Sequence, residues 1–207
     1  MQIIVKTAPE ELLRARKWWQ DLEMQWKFAY NEAVFGKGPS IEPPRDEELM
    51  LLLIQADTLR FAGPLAQNPN ISNPLTNLSG LVPLYHLKYL SLTHMKITGL
   101  TELKRHTQME YLFVYDNQLK SLDGIENMFN LKDLYFQNND VTDLMPIARL
   151  TNLQTLYASN NNISKINGLS EKHGDHLCKF YILPNENLSD REIIRTQNEI
   201  GIICRTG

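Results

Sequence analysis

The 207-residue sequence predicts a curved, right-handed α/β solenoid, with a parallel sheet of short strands on its concave side and 3₁₀ or irregular turns on its convex side. A helical cap is expected at the N-terminal end and a short helix-strand cap at the other. The first sign is a repeat. Leu87, Leu90, Leu92, Met95 and Ile97 are followed by Met109, Leu112, Val114, Asn117 and Leu119, then by Leu131, Leu134, Phe136, Asn139 and Val141, then by Leu153, Leu156, Ala158, Asn161 and Ile163. Each copy starts 22 residues after the last, within the ~20–29 residues typical of such units. A fifth copy, Leu177, Phe180, Ile182 and Asn185, comes after 24 residues, as a terminal unit does when it begins to close a stack. The second sign is alternation at Leu112 and Val114 or Leu134 and Phe136, the period of a strand with one buried face. The third is a three-residue apolar period after each strand, in Val141, Leu144, Ile147 and Leu150 and in Leu75, Leu78, Leu81 and Leu84. Three residues per turn is the 3₁₀ period, and Pro146 also disfavours an α-helix interior.

The Asn column at 117, 139, 161 and 185 has a physical cause. A buried amide has donors and a carbonyl that can satisfy the backbone of the turn leaving each strand. Met95 holds the same slot in the first clear repeat and cannot act this way, so its turn must be satisfied differently. His106 stands where Leu84, Met128 and Leu150 stand, and is expected as a tolerated, semi-buried side chain rather than a ligand.

This pattern resembles the leucine-rich repeat family, in the 22-residue class that includes a protein-phosphatase regulatory subunit and the repeat region of bacterial internalins. The segment Leu131 to Asn152, LKDLYFQNNDVTDLMPIARLTN, matches that class at nearly every slot, and the likeness covers residues 75–188. The resemblance implies a solenoid with one strand per repeat on the concave side, where this family usually binds. It implies no particular partner, because the family is a scaffold with many uses.

Three segments follow: a cap with an irregular first rung over 1–62, repeats over 63–188, and a C-terminal cap over 189–207. Thr7 with Glu10 makes a capping box, and Pro9 suits a first helical turn. Leu12, Ala15, Trp19, Leu22, Trp26, Ala29 and Ala33 then line one stripe of a single amphipathic helix, which Gly36 to Pro44 ends. Trp18, Trp19 and Trp26 are read as cap packing, because mixed charges around them disfavour a membrane contact. A second helix starts near Arg45-Asp46-Glu47-Glu48 and runs to Ala56. Its run from Leu49 to Ile54 is apolar on all sides, so it is expected between the first helix and the open end of the coil. Thr58 to Ala62 alternates as a strand, 31 residues before its counterpart when Leu59 is aligned with Leu90. At the far end Ser189 or Asp190 caps a helix over Arg191 to Glu199, with Ile193 and Ile194 turned inward, before a last strand over Ile200 to Cys204.

Net charge is only −3, which removes the electrostatic basis for nucleic-acid binding. No run approaches the ~20 apolar residues of a membrane span, and the first residues lack a secretory apolar core. A cytoplasmic location and a monomer are the default expectations. Cys178 and Cys204 would then be thiols, with a bridge between the last rungs as the lesser alternative. The Asn-x-Ser sequons at Asn70, Asn77, Asn162 and Asn187 read as chance matches in an Asn-rich coil.

Function belongs where side chains leave the sheet on the concave side. The central column reads Arg60, Ser91, Phe113, Tyr135, Tyr157, Tyr181. One flank adds Tyr89, Tyr111, Asp133, Thr155 and Lys179, and the other Thr93, Tyr115, Gln137, Ser159 and Leu183. Neighbours ~4.8 Å apart on parallel strands can stack ring on ring, which stabilises the sheet. Tyrosine is also enriched at binding hot spots, being large, rigid and polar at its tip. The candidate partner-binding residues are therefore Arg60, Tyr89, Tyr111, Phe113, Tyr115, Asp133, Tyr135, Tyr157, Lys179 and Tyr181. Six rungs and strands of ~17 Å give roughly 400 Å² of sheet, below the ~800 Å² per side of a standard protein interface. A peptide fits on the sheet alone, whereas a folded partner must also touch loops or the cap.

The leading expectation is a non-enzymatic module that binds an unidentified protein or peptide, without cofactor or metal. The alternative is glycan binding on the same aromatic row. Catalysis ranks third, since no Gly-rich phosphate loop, G-x-S-x-G, H-E-x-x-H or C-x-x-C is present. His94 and Asp116 are expected to pair across the sheet near Asp133, but a pair without nucleophile or oxyanion site is not an active site. His173-Gly-Asp175-His176-Leu-Cys178 has metal-capable atoms and is read as a capping loop.

Overall fold

The computed structural model describes residues 9–207, so the Thr7 capping box lies outside the described residues. Three helices come first: α1 (Pro9–Asp21), α2 (Met24–Ala33) and α3 (Asp46–Gln55). Seven strands follow, β1 (Thr58–Ala62), β2 (Tyr89–Thr93), β3 (Tyr111–Phe113), β4 (Asp133–Tyr135), β5 (Thr155–Tyr157), β6 (Lys179–Leu183) and β7 (Cys204–Thr206). They form one open parallel sheet in sequence order. This is the curved solenoid that the repeat predicts. Leu59, Leu90, Leu112, Leu134, Leu156 and Phe180 align across it, and the 31-residue first step from Leu59 to Leu90 is in register.

The convex side is built from 3₁₀ turns at Ser79–Leu81, Thr101–Leu103 and Met145–Ile147, the last containing Pro146. The three-residue period thus reports real geometry: Leu75, Leu78, Leu81 and Leu84 are fully buried, as are Val141, Leu144, Ile147 and Leu150. Each such burial stabilises by ~1.5–3 kcal/mol relative to an exposed side chain. The core they form is one cluster that runs from Ala15 in α1 to Ile202 before β7. The Asn column works as staples between rungs. Asn139 Nδ2 donates to Phe136 O in its own turn (2.9 Å) and to Val114 O in the rung before (3.0 Å), while its Oδ1 accepts from Leu119 N (2.9 Å). At Met95 the sulfur takes over the acceptor role, at 3.4 Å from Leu75 N.

Several expectations need correction. The N-terminal helix is two, broken after Asp21, and the break has a purpose: Glu23 accepts from Asn77 Nδ2 (3.0 Å) and Ser79 Oγ (2.8 Å) on the first convex turn. The apolar spacing continues through Leu22 and Trp26, which hides the bend. It is also α2, not α3, that covers the open end of the coil. Trp26 and Tyr30 meet Phe61 of β1 edge to face at 5.5 and 5.6 Å, and Tyr30 Oη donates to Gly80 O at 2.9 Å. A Cβ on Gly80 would sit 2.2 Å from the Trp26 ring, so the cap closes only over glycine. Helix α3 packs on α1 instead and buries Leu49, Met50 and Leu52 while leaving Leu51 and Ile54 exposed. At the far end, α5 (Asp190–Arg195) is shorter than expected and runs into a π-turn at Thr196–Ile200. Ser189 caps it, Ile193 is half-buried, and Ile194 points to solvent. The last strand lies at Cys204–Thr206, not at 200–204.

Trp18, Trp19 and Trp26 all pack within the cap, against Tyr30, Phe35 and Phe61. His106 is fully buried rather than semi-buried. Its Nε2 lies 3.1 Å from Leu81 O and its Nδ1 3.3 Å from Leu103 O, yet burial outweighs those carbonyls and lowers its pKa. His173 repeats the arrangement in the short helix α4 (Glu171–Gly174): it is buried, with Nε2 3.2 Å from Ile147 O. Within the metal-capable segment His173 thus serves packing, while Asp175, His176 and Cys178 are exposed. Both cysteines are free, and burial pushes the Cys204 thiol up to about 11.

Candidate binding face

Strand pairing places Arg60, Ser91, Phe113, Tyr135 and Tyr157 opposite one another, followed by Tyr181 and, at the far edge, Arg205. Tyr89, Tyr111, Asp133, Thr155 and Lys179 form the flanking column in the same register. The rings form a continuous ladder. Tyr89 contacts Tyr111 at 6.2 Å and Phe113 at 5.2 Å, Phe113 contacts Tyr135 at 4.8 Å, and Tyr135 contacts Tyr157 at 4.6 Å. Tyr157 and Tyr181 stack at 4.0 Å with planes 17° apart. The aromatics are half-buried, because each covers part of its neighbour.

Ser91, Thr93, Thr155 and Ser159, small polar residues expected on this surface, are buried, whereas Arg60 and Lys179 are exposed. Arg60 is steered by a bond from Nη2 to Asn68 O (2.9 Å). Lys132 sits over the Tyr111 ring at 5.7 Å and pairs with Glu110 at 2.6 Å. Burial, then the Asp133 charge, raises the Tyr135 pKa, and burial, then its bond with Tyr181, raises that of Tyr157. Both phenols are therefore neutral near pH 7 and offer hydroxyl donors.

A second ladder borders the first. His94, Asp116, Asn138 and Asn160 follow the strands at 22-residue intervals, and all four have left-handed backbone angles with φ of 53–58°. A non-glycine residue in that region costs roughly 1–2 kcal/mol. Their side chains offset this by bonding in series: His94 Nε2 lies 3.4 Å from Asp116 Oδ2, Asn138 Nδ2 donates to Asp116 Oδ1 (2.8 Å), and Asn160 Nδ2 donates to Asn138 Oδ1 (2.8 Å). The expected His94–Asp116 contact exists, but the chain continues into amides. The four side chains thus form a bonded rail beside the aromatic ladder. Its signal was legible, since Asp and Asn recur one residue before the Asn column and these types tolerate left-handed angles. Arg205 was missed because the last strand was placed too early.

Among the described residues, no three of His, Cys, Asp and Glu converge as a metal site, and no helix is long and apolar enough to cross a membrane. A cleft of about 430 Å³ lies in the N-terminal cap between Trp19, Lys27, Ile41 and the Arg16–Asp46 ion pair, away from the aromatic face. Its charged groups are Lys27 and the Arg16–Asp46 pair, whose charges are already matched to each other.

Compared with protein families, residues 129–171 match the family model described as Leucine Rich repeats (2 copies). Compared with curated proteins, the sequence matches none. The solved structure of an internalin C2 from Listeria monocytogenes is similar over 89% of this chain and 92% of that one, with a TM-score of 0.59 at 23% identity. A leucine-rich repeat protein from Leptospira interrogans is similar over 80% of this chain, with a TM-score of 0.54 at 24% identity, and the chain spans 40% of that longer protein. At these identities the likeness is one of fold. Residues 129–171 thus carry leucine-rich repeats, and the 22-residue step and sequential parallel sheet give the chain the fold of these solved structures.

Proposed function

We propose that the chain is a non-enzymatic module that binds a protein or peptide on its tyrosine-rich concave face. The observation that supports it most is the unbroken, half-exposed aromatic ladder from Tyr89 to Tyr181, which packing of the core does not require. Rigid rings with hydroxyl tips suit recognition, because little side-chain entropy is lost when a partner docks. The fold agrees, since solenoids present extended concave surfaces for binding.

Ring geometry favours a peptide over a glycan. A sugar stacks on an open ring face, whereas here successive rings cover one another, most completely at Tyr157 and Tyr181. Edges and hydroxyls remain, and these suit main-chain carbonyls and apolar side chains. The His94–Asp116 contact continues into the Asn138 amide rather than to a nucleophile, which supports the non-enzymatic reading. On this reading the module acts as a cytoplasmic monomer, without membrane or nucleic-acid contacts.

The test is affinity capture from the native cell with Tyr135→Ala plus Tyr157→Ala as the control. Loss of captured partners with retained folding supports the proposal. Retention of every partner by a folded double variant sinks it. Retardation of the wild type in affinity electrophoresis against common polysaccharides would instead favour the glycan reading.

A further inference from the structure

We infer that the concave face takes an extended peptide of about nine residues, laid across the strands, with an acidic residue near each end. This rests on the reading of the face as a peptide site and specifies the peptide's shape and charge. Direction follows from dimensions. The three central strands are only three residues long, whereas the row from Arg60 in β1 to Arg205 in β7 crosses seven strands. Six steps of ~4.8 Å make roughly 29 Å, which an extended chain covers with about nine residues at ~3.3 Å each. The rings therefore form a track along the row.

Charge follows from what is left unpaired. Arg60 is exposed at one end of the track, and Arg205 and Lys179 are exposed at the other; none of the three joins an ion pair among the described residues. Of the acids on the face, Asp116 is held by His94 and Asn138, which leaves Asp133 near the middle without an ion-pair partner. The track thus reads positive, negative, positive along its length. A complementary segment carries acids at its ends and a neutral or basic centre, and like charges set against this pattern would be rejected.

The chain itself shows how main chain seats on the rings. Gly207 N donates to Leu183 O at 2.9 Å, and a Cβ on Gly207 would sit 3.0 Å from Tyr157 Cε1 and 2.8 Å from Tyr181 Cβ. Backbone lies directly on the last step of the ladder. A partner that runs the full row passes beside Gly207 at this step and reaches the Arg205 guanidinium.

A displayed library of random dodecapeptides, panned against the wild-type protein and against Arg60→Glu plus Arg205→Glu, provides the test. The wild type should enrich peptides with Asp or Glu at two positions about eight to ten residues apart. A synthetic copy of the leading peptide should bind about tenfold more weakly to the charge-reversed variant and weaken as salt is raised. The variant should itself enrich Lys or Arg at those positions. Should the double variant fail to fold, Lys179→Glu alone should weaken binding of the same peptide. Enriched peptides without an acidic preference, whose binding is lost in Tyr135→Ala plus Tyr157→Ala, would overturn this inference and leave the concave peptide site standing. Peptides that bind regardless of those tyrosines, or no enrichment at all, would overturn both.

Discussion

At the scale of single residues, polar groups in this coil are kept because each bridges two rungs. Asn161 shows the same geometry as Asn139: its Nδ2 donates to Ala158 O (3.2 Å) and Phe136 O (3.1 Å), and its Oδ1 accepts from Val141 N (3.0 Å). Asn139→Ala leaves those buried backbone groups unpaired, and its expected cost is ~1–3 kcal/mol in denaturant unfolding. The buried histidines add a dependence on pH. Burial lowers the folded-state pKa of His106 and of His173, while the unfolded chain titrates near ~6.5. Between those values the unfolded state binds more protons, so stability rises with pH there. It is complete above about pH 6.5 and is lost as the pH falls toward the folded-state values. Leucine already fills the equivalent slot at Leu84 and Leu150, each fully buried. His106→Leu should therefore fold normally and lose less stability than the wild type between pH 7.5 and pH 5, as urea midpoints at the two pH values would show. Equal losses in both proteins would remove His106 as a source of acid sensitivity.

At the scale of elements, the open edge of β1 is the point the repeat cannot handle alone, since an end strand presents unpaired backbone groups. The long first loop solves this. Asn70 Oδ1 accepts from Ala62 N (2.6 Å), Asn70 Nδ2 donates to Arg60 O (2.8 Å), and Asn70 N donates to Ala62 O (3.0 Å), so one residue imitates a neighbouring strand. Asn70→Ala should free that edge, and the expected result is concentration-dependent association by light scattering with the secondary structure retained; a strictly monomeric variant would refute the capping role. The cap makes a related demand at Gly80, where Ala would collide with Trp26. Gly80→Ala should cost roughly 1–3 kcal/mol by overpacking, with Trp26 fluorescence shifting to the red as the indole meets water. Neither device was legible in the sequence, because both depend on contacts between segments far apart in the chain, 50 residues for Tyr30 with Gly80. The strands and 3₁₀ turns were legible because every repeat states them again, and the aromatic columns followed from strand alternation alone. The bend at Glu23 was not, since apolar spacing is indifferent to whether a helix continues in a straight line.

At the scale of the whole molecule, a coil in which each rung touches only its neighbours should hold together by interfaces, so stability should be highest where a rung is covered on both sides. The central leucines Leu112, Leu134 and Leu156 are fully buried, and their strands have partners on either hand. The C-terminal cap is built differently. Helix α5 has no buried residue, and its ties to the coil include Arg195 Nη2 to Ile166 O (3.0 Å) and Glu192 Oε2 to Ile166 N (3.2 Å). Single part-buried hydrogen bonds of that kind contribute less than burial of several apolar side chains, so the cap belongs to the low-stability end of the molecule. Native-state hydrogen exchange should then show the amides of β3, β4 and β5 exchanging only by global unfolding, while residues 190–195 exchange through a local opening of smaller free energy. Because β7 follows α5, that opening should also release Arg205 and Gly207 from the end of the aromatic track. A peptide bound along the track should slow exchange in β7 more than in α5, since contact is made at the strand and reaches the helix only through the turn between them. Uniform protection from β3 through α5 would instead mean that the coil unfolds as one unit, and the far end of the track would then be as rigid as its centre.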